Sequence, residues 1–476
     1  MFIKNDNYII FDFYLPVYNW FYPLKPKALN EEMKKKIGNT SSDIFNFIGE
    51  SPKNRSLYFH IPYCQDICSF CPFSRSVLKN SELLDIYVEA LIKEIHLKAS
   101  YDNIRNFPIH AMTFGGGTPS ILDPKHIEKI GEAIHSCFDL SQLKEFSFEM
   151  NAKTVTLDRV QALKKIGVTH PRIGIQTFNP KYRKLFDLSA TLDQVYNGVE
   201  LLKKNFSHIC VDILYGMHGQ TVDDLILDLH HAIQLGIPNI DLYPINNTVI
   251  QKRLCDSYKK ESLEPTTGLS KMIFNTIANE YMRNNGYLPH NGHGYVKCDD
   301  SEISRNPIVT NTYTFEYHET VYGYEGHEVI GFGAGAYSSF NGYATYNYNN
   351  VKKYTEDLLN NNHLNMEMGE YDKDLCDIKG IALHLPYHGF AKKISPDVKT
   401  KYVSEIKKKI LILKEYNLIS EDAENYYLTQ KGWNWYVNLL YFLSPSQEQQ
   451  DLLDYIKAGS EKEFSSIEKW KIDMKF

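Results

Sequence analysis

From Ser56 onward, short β-rich runs alternate with amphipathic helical runs, and this rhythm limits the possible folds more than any other feature. The β-rich runs fall at 56–61, 109–115, 145–151, 171–177, 207–215 and 239–245. Between them, 82–100, 124–137, 157–166, 191–204 and 221–235 place apolar residues at helical spacing. Strand, helix, strand in steady succession predicts an α/β fold with a parallel sheet and right-handed crossovers. Six such units within about 190 residues suit a partial (β/α)6 barrel better than the closed eight-unit barrel.

The rhythm stops after 250, which suggests several regions. Residues 1–55 read as an aromatic and proline-rich N-terminal extension packed on the body, and 56–250 as the barrel core. Residues 251–370 read as a barrel-closing and substrate region, with a helix near 268–286 and hairpins and loops over 287–350. Over 371–445 a helix from Ser404 to Tyr416, a polar turn, Tyr426-Tyr427-Leu428 and a second helix from Lys431 predict a winged-helix-like unit. Residues 446–476 form a charged tail or peripheral helix.

Three of the eight cysteines, Cys64, Cys68 and Cys71, fall within eight residues just after the first strand run. The other five are scattered singly and read as small core residues. Thiolates spaced C-x3-C-x2-C on one loop can converge on a single metal centre. A structural zinc site would want a fourth ligand close by, and no second C-x2-C follows. An iron–sulfur cluster suits three thiolates better. Three ligands for four irons leave one iron open to a small molecule. The carboxyl end of a parallel sheet is also where such folds place their sites.

Composition narrows the partners. Against 52 basic residues stand 58 acidic ones, a net charge of −6, which argues against nucleic acid or an anionic membrane. No apolar run approaches the roughly 20 residues of a spanning helix, and no basic leader precedes an apolar stretch. A cytoplasmic protein is expected.

The segment Tyr58-Phe59-His60-Ile61-Pro62-Tyr63-Cys64, running into Cys68 and Cys71, resembles the radical S-adenosylmethionine (SAM) superfamily. Within it, the segment is similar to the branch typified by oxygen-independent coproporphyrinogen III oxidase, over about 55–445. The resemblance implies a [4Fe–4S] cluster on Cys64, Cys68 and Cys71, with SAM on the open iron. Electron transfer from the reduced cluster would cleave SAM to methionine and a 5′-deoxyadenosyl radical. It also implies SAM contacts from Tyr63, Phe70, Gly115, Gly116, Gly117, Thr118, Glu149, Gln176, Asp212 and Leu214. Three glycines in a row allow close backbone approach to a ligand. Asp212, alone in an apolar run, needs a partner. Arg172 reads as a structural ion pair, and Leu188 stands where the family usually has a SAM-binding arginine, with Arg183 out of register.

Gly331-Phe332-Gly333-Ala334-Gly335-Ala336-Tyr337 resembles the family's glycine-rich segment and is expected to help close the site. Tyr215, Tyr243, Tyr313 and Tyr337 are candidates for a substrate pocket.

Within the superfamily, the stretch Leu428-Thr429-Gln430-Lys431-Gly432-Trp433-Asn434-Trp435-Tyr436-Val437-Asn438-Leu439 looks most like class C methyltransferases. That implies two SAM molecules, an aromatic, heterocyclic or tetrapyrrole substrate methylated at an sp2 carbon (or, in close relatives, cyclopropanated or opened as a methylated heme), and a low-potential electron donor. Coproporphyrinogen oxidation is the alternative. Against it, the chain lacks that enzyme's Arg-x-Tyr-Thr-Ser-Tyr-Pro element and the further cysteine after the triplet, where Pro72-Phe73 stand. A non-catalytic heme chaperone is the second alternative, though such chains are shorter.

Overall fold

A computed structural model of the chain describes residues 10–460, apart from 12, 19, 38–40, 49–53, 247–250, 299–308, 310–315 and 322–325. Six parallel strands form its centre: β1 (Arg55–Ile61), β2 (Ala111–Gly116), β3 (Glu145–Met150), β4 (His170–Gln176), β5 (Cys210–Tyr215) and β6 (Asn239–Pro244). They lie side by side in chain order. The crossovers carry helices α1 (Ser81–Ala99), α2 (Pro124–Cys137), α3 (Leu157–Lys165), α4 (Leu192–Lys203) and α5 (Val222–Gln234). Strand and helix ends lie within a few residues of the sequence-based expectation.

Local chemistry sets the helix starts. The side chains of Asn80 and Asp123 accept from the backbone at Leu83 and His126. Thr191 with Gln194, and Thr221 with Asp224, close reciprocal capping boxes.

Successive strand residues face opposite ways, so each strand offers two different surfaces. Leu57, Phe59 and Ile61, Met112 and Phe114, Phe146, Phe148 and Met150, and Val211 and Ile213 join one buried core with the helices. Phe59 stacks between Phe114 and Phe332, with ring centroids 4.6 and 4.9 Å away. Each such phenyl contributes about 1.5–3 kcal/mol by leaving water. The other face carries Tyr58, His60, Glu149, Arg172, Asp212, Asp241 and Tyr243. A parallel strand flanked by core on both sides would be apolar throughout; here one face is reserved for polar groups.

Beyond 250 the hairpins expected over 287–350 are present, and they extend the central sheet on both flanks. β7 (Tyr287–Pro289) and β8 (Gly294–Lys297) extend the sheet antiparallel past β6. On the other flank β9 (Glu328–Phe332) pairs parallel with β1, and β10 (Tyr337–Phe340), β11 (Tyr343–Asn347) and β12 (Met366–Glu370) follow antiparallel. With the short Lys27–Ala28 edge the sheet has 13 strands among the described residues. The β9 run is short and its neighbours are rich in Gly, Tyr and Asn, which hides its period in the sequence.

Toward the C-terminus, α8 (Val403–Glu415) and α9 (Tyr436–Leu443) pack with a three-stranded sheet of Phe390–Lys392, Asn425–Leu428 and Ile419–Glu421. Gly432 sits so close to Leu418 that a Cβ would lie 2.0 Å from its carbonyl oxygen. Trp433 is 2% exposed in this second core. The stretch read as methyltransferase-like therefore builds the interior of this unit: Thr429 caps its helix, Gly432 permits close packing and Trp433 fills the core. Residues 461–476 lie outside the described residues, as does Tyr313. Among the described residues no helix is long and apolar enough to cross a membrane.

The N-terminal segment packs on this C-terminal unit. Asn438 Nδ2 donates to the carbonyls of Ile10 and Phe13 at 2.8 and 2.9 Å. Phe13 meets Tyr441, and Tyr18 meets Tyr436, edge to face. The buried Lys271, on α6 (Gly268–Asn284), bonds the carbonyls of Pro16 at 2.8 Å and Ile245 at 2.5 Å. One ammonium thus ties the N-terminal segment to the chain just beyond β6.

Candidate active site

The cysteine loop leaves the carboxyl end of β1 and is held on several sides. Tyr63–Cys64 pairs with Ser76–Val77 as a short parallel ladder. The backbone N–H of Thr118 donates to the Tyr63 carbonyl at 2.9 Å, and the Thr118 hydroxyl donates to Cys64 Sγ at 3.3 Å. Ser69 is anchored through its N–H to Phe186 O and through its hydroxyl to Leu185 O. Gln251 donates to the Cys68 carbonyl at 3.0 Å. The Cys71 N–H donates back to the Cys68 carbonyl at 3.2 Å, closing a turn between the two cysteines.

Burial, with the crowding of Cys71 and Cys64, pushes the Cys68 thiol up to about 12. Cys64 and Cys71 are also raised, chiefly by burial. Three thiols brought together in this way ionise only when a cationic centre neutralises them. Among the described residues, this trio is not one of the side-chain sets whose ligand atoms all lie within 4.8 Å. A single tetrahedral zinc, with Zn–S near 2.3 Å, would need sulfurs about 3.8 Å apart. The wider spacing and the three-thiol donor set fit a multi-iron cluster.

The glycine triplet ends β2 directly beside this loop. A Cβ at Gly117 would lie 2.7 Å from the Tyr63 carbonyl oxygen. Gly116 has φ +111°, and a Cβ there would lie 2.6 Å from the His60 ring. Only glycine fits either position. A Cβ at Gly115 would meet the Glu149 carboxylate at 3.2 Å, so Glu149 stands over the triplet. Burial first, and the Asp212 charge second, push Glu149 up to about 7, while Arg172 and the Gly116 N–H oppose them.

Gln176 ends β4 at φ 71°, a strained conformation for a non-glycine residue, where the register to β5 shifts. Such strain persists where the surroundings over-determine it and clusters at functional sites. Its amide folds back so closely that a Cβ at Gly174 would lie 2.4 Å from Gln176 Nε2.

Asp212 has the partner it needs. Arg172 donates to Asp212 at 2.9 Å and to Asp241 at 2.5 Å, and the Tyr243 hydroxyl donates to Asp241 at 3.1 Å. Arg172 is therefore the hub of a three-strand ion-pair network, and its guanidinium stays charged between two carboxylates. Asp241 is not among the residues singled out from the sequence. The signal available was its place in the apolar Ile240-Asp241-Leu242 run.

Phe70 and Leu214 meet in one small apolar cluster with Tyr182 and Phe186, and the Phe70 and Phe186 rings are 5.0 Å apart. Tyr63 lies in the main core against Tyr87, on the other side of the loop. Arg183 is spent on the carbonyls of Ile175, Thr177 and Ala190, and Leu188 packs beside Phe70.

Gly333, at φ +104°, fits so tightly against β1 that a Cβ would lie 2.5 Å from both the His60 carbonyl oxygen and the Tyr87 hydroxyl. The glycine-rich segment thus packs on β1 at Gly333. Tyr215 points to the helix side, its hydroxyl on Asn275, so it does not line the polar face. Tyr337 joins Tyr371 at 3.0 Å. The sequence also gives no sign of His293. Its ring lies 4.3 Å from that of Tyr243 and bonds the Tyr387 hydroxyl, joining the barrel to the C-terminal unit.

The model of the radical SAM superfamily matches residues 58–232. A heme chaperone HemW of Lactococcus lactis is 26% identical over 385 residues, 80% of this chain and 95% of its own length. An anaerobilin synthase of Escherichia coli O157:H7 is 28% identical over 333 residues, 68% of this chain and 69% of that one. The structure of coproporphyrinogen III oxidase HemN from Escherichia coli superposes with a TM-score of 0.71 at 17% identity. That match covers 90% of this chain and 96% of the other. The closeness to class C methyltransferases expected from the C-terminal motif is not supported by these relatives, and the motif's residues are used in the core.

Proposed function

We propose that this chain is a member of the radical SAM superfamily, in its coproporphyrinogen-oxidase-like branch, and that it cleaves SAM to act on a tetrapyrrole. In this reading Cys64, Cys68 and Cys71 hold a [4Fe–4S] cluster. When bound and reduced by a low-potential donor, it supplies the electron that cleaves SAM to methionine and a 5′-deoxyadenosyl radical.

The protein's own part is placement. The glycines at 115–117 let the end of β2 press against Tyr63, His60 and Glu149, which sets the Glu149 carboxylate beside the cluster loop for the methionine end of SAM. Glu149, its pKa raised to about 7 by burial, is placed to accept from an ammonium or a ribose hydroxyl in its ionised form. Gln176 and Asp212 stand on the next two strands for the ribose, with Asp212 oriented by Arg172. Phe70 and Leu214 provide an apolar wall for the adenine, and Tyr63 braces the loop from behind.

The observation that carries catalysis, as opposed to carriage, is the cover beyond the carboxyl ends of the strands. The N-terminal segment is tied by Lys271 to the end of β6, and Tyr387 reaches His293 beside Tyr243. Closure of this kind keeps water from a reactive species. The tetrapyrrole class rests on the relatives, whose names denote heme, a bilin and a porphyrinogen. A heme chaperone without chemistry is the second reading, favoured by the alignment over 95% of HemW.

Anaerobic protein with a reconstituted cluster, SAM and a strong reductant tests both. Heme and coproporphyrinogen III are supplied separately, and 5′-deoxyadenosine and altered tetrapyrrole are measured. Cleavage of SAM that rises with one of the two macrocycles, with a changed product mass, is expected. Stoichiometric heme binding with no SAM cleavage replaces catalysis with the chaperone reading. Cleavage indifferent to both macrocycles overturns the substrate class.

A further inference from the structure

Away from the cysteine loop, three ligand-bearing side chains from two distant segments converge. Glu319, on α7 (Glu316–Val321), and His384 and His388 bring one donor atom each to within 4.8 Å of one another. The two histidines are four residues apart where a π-helical turn, Gly380–His384, passes into the short helix Leu385–His388. Spacing of i and i+4 puts both imidazoles on one side, and their ring centroids are 4.6 Å apart. π-Helical turns occur frequently at functional sites.

The surroundings orient the set. His388 is buried, and its ring donates a hydrogen bond to the His290 backbone. In a neutral imidazole, donation from one nitrogen leaves the lone pair on the other, and a carbonyl in this place is the usual outer partner of a metal-binding histidine. Cys210, Asp212 and Asp241 meet the same distance criterion, but there the guanidinium of Arg172 already supplies the positive charge.

We propose that Glu319, His384 and His388 bind one divalent ion of the zinc class. Two imidazoles and a carboxylate are a recurrent zinc donor set, and a tetrahedral ion keeps a fourth position for water. A Zn–ligand distance near 2.0–2.1 Å needs donors about 3.4 Å apart, a small closing movement from the spacing here. The ion joins α7 to the 380–388 turn. It thereby fixes Tyr387, whose hydroxyl bonds His293, and His318, whose ring lies 5.0 Å from His293. This assignment is independent of the identity of the substrate.

The test uses the untagged full-length chain with its cluster intact, prepared in metal-free buffer. Zinc chloride is titrated in competition with a chromophoric chelator, and cobalt(II) is followed by its visible bands. One zinc per chain with Kd below about 1 μM is expected, together with tetrahedral cobalt bands. Glu319→Gln and His384→Ala, both at partly exposed positions, should each abolish this binding, while circular dichroism stays unchanged. His388→Ala is the weaker test because the residue is buried. A chain carrying Cys64→Ala, Cys68→Ala and Cys71→Ala should still take up the zinc. No uptake by the wild-type chain, uptake that survives Glu319→Gln and His384→Ala, or uptake lost with the cysteines each overturns the assignment.

Discussion

The barrel strands and the segments after them both deliver polar side chains to the carboxyl end of the sheet, by different means. In the barrel, period-2 alternation sends Tyr58, His60, Glu149, Arg172 and Asp212 to one face while their neighbours are locked into a core of fully buried phenyl and branched side chains. Each polar group there has an apolar anchor one residue away. In the later region, His293, His318, Tyr387 and His388 come from loops and from helices of only four to six residues. Their placement rests on contacts with each other and with Tyr243. The first arrangement is rigid by construction; the second is rigid only when assembled.

If that contrast holds, the largest effects come from the barrel side. Changing any of Cys64, Cys68 or Cys71 to Ala should abolish cluster incorporation and all SAM cleavage while leaving the far-ultraviolet circular dichroism intact. Retained cleavage would break the ligand assignment.

Next in size is Arg172→Met. It leaves Asp212 and Asp241 facing one another with no cation between them. Removing one partner from such a buried network costs about 3–5 kcal/mol, read as a fall in the denaturation midpoint. A loss below about 1 kcal/mol would show that the carboxylates find another partner.

A smaller change is expected from Tyr387→Phe. Losing its hydroxyl contact to His293 should cost about 1–2 kcal/mol. If the two regions are separable, SAM cleavage without substrate stays at the wild-type level while tetrapyrrole turnover falls roughly tenfold. Equal loss in both assays would show the regions to be coupled.

The smallest and sharpest effect is in pH. Burial, with the Asp212 charge second, raises Glu149 from its ordinary 4.5 to about 7, so the folded chain holds a proton that the unfolded chain releases. Its contribution to stability is full below 4.5 and is lost as pH rises through about 7. Thermal midpoints of the ligand-free protein across that window should fall with rising pH, and Glu149→Gln should flatten the slope. An unchanged slope in the variant would move the titration to another group.

Much of the barrel is legible in the sequence because its signals are local. Alternation, capping residues and turn glycines act within a few residues, so the residues alone place all six central strands and five helices. The cysteine loop is legible for the same reason, its three thiols being neighbours in the chain. The β9 strand is not, since the partner that makes Glu328–Phe332 a strand is Arg55–Ile61, far away in the chain. The use of Leu428–Trp435 in a core is hidden too, because a motif does not state what it packs against.

By itself the sequence determined the alternating βα architecture and three thiols on one loop beside a glycine triplet. Those depend on backbone geometry and near-neighbour chemistry, which travel with the residues. Tertiary structure alone decided that Arg172 joins Asp212 to Asp241, that Gln176 is held at positive φ, and that Glu319 meets His384 and His388. Electrostatic pairing and coordination depend on distance in space, and no spacing along the chain encodes a meeting between segments tens or hundreds of residues apart.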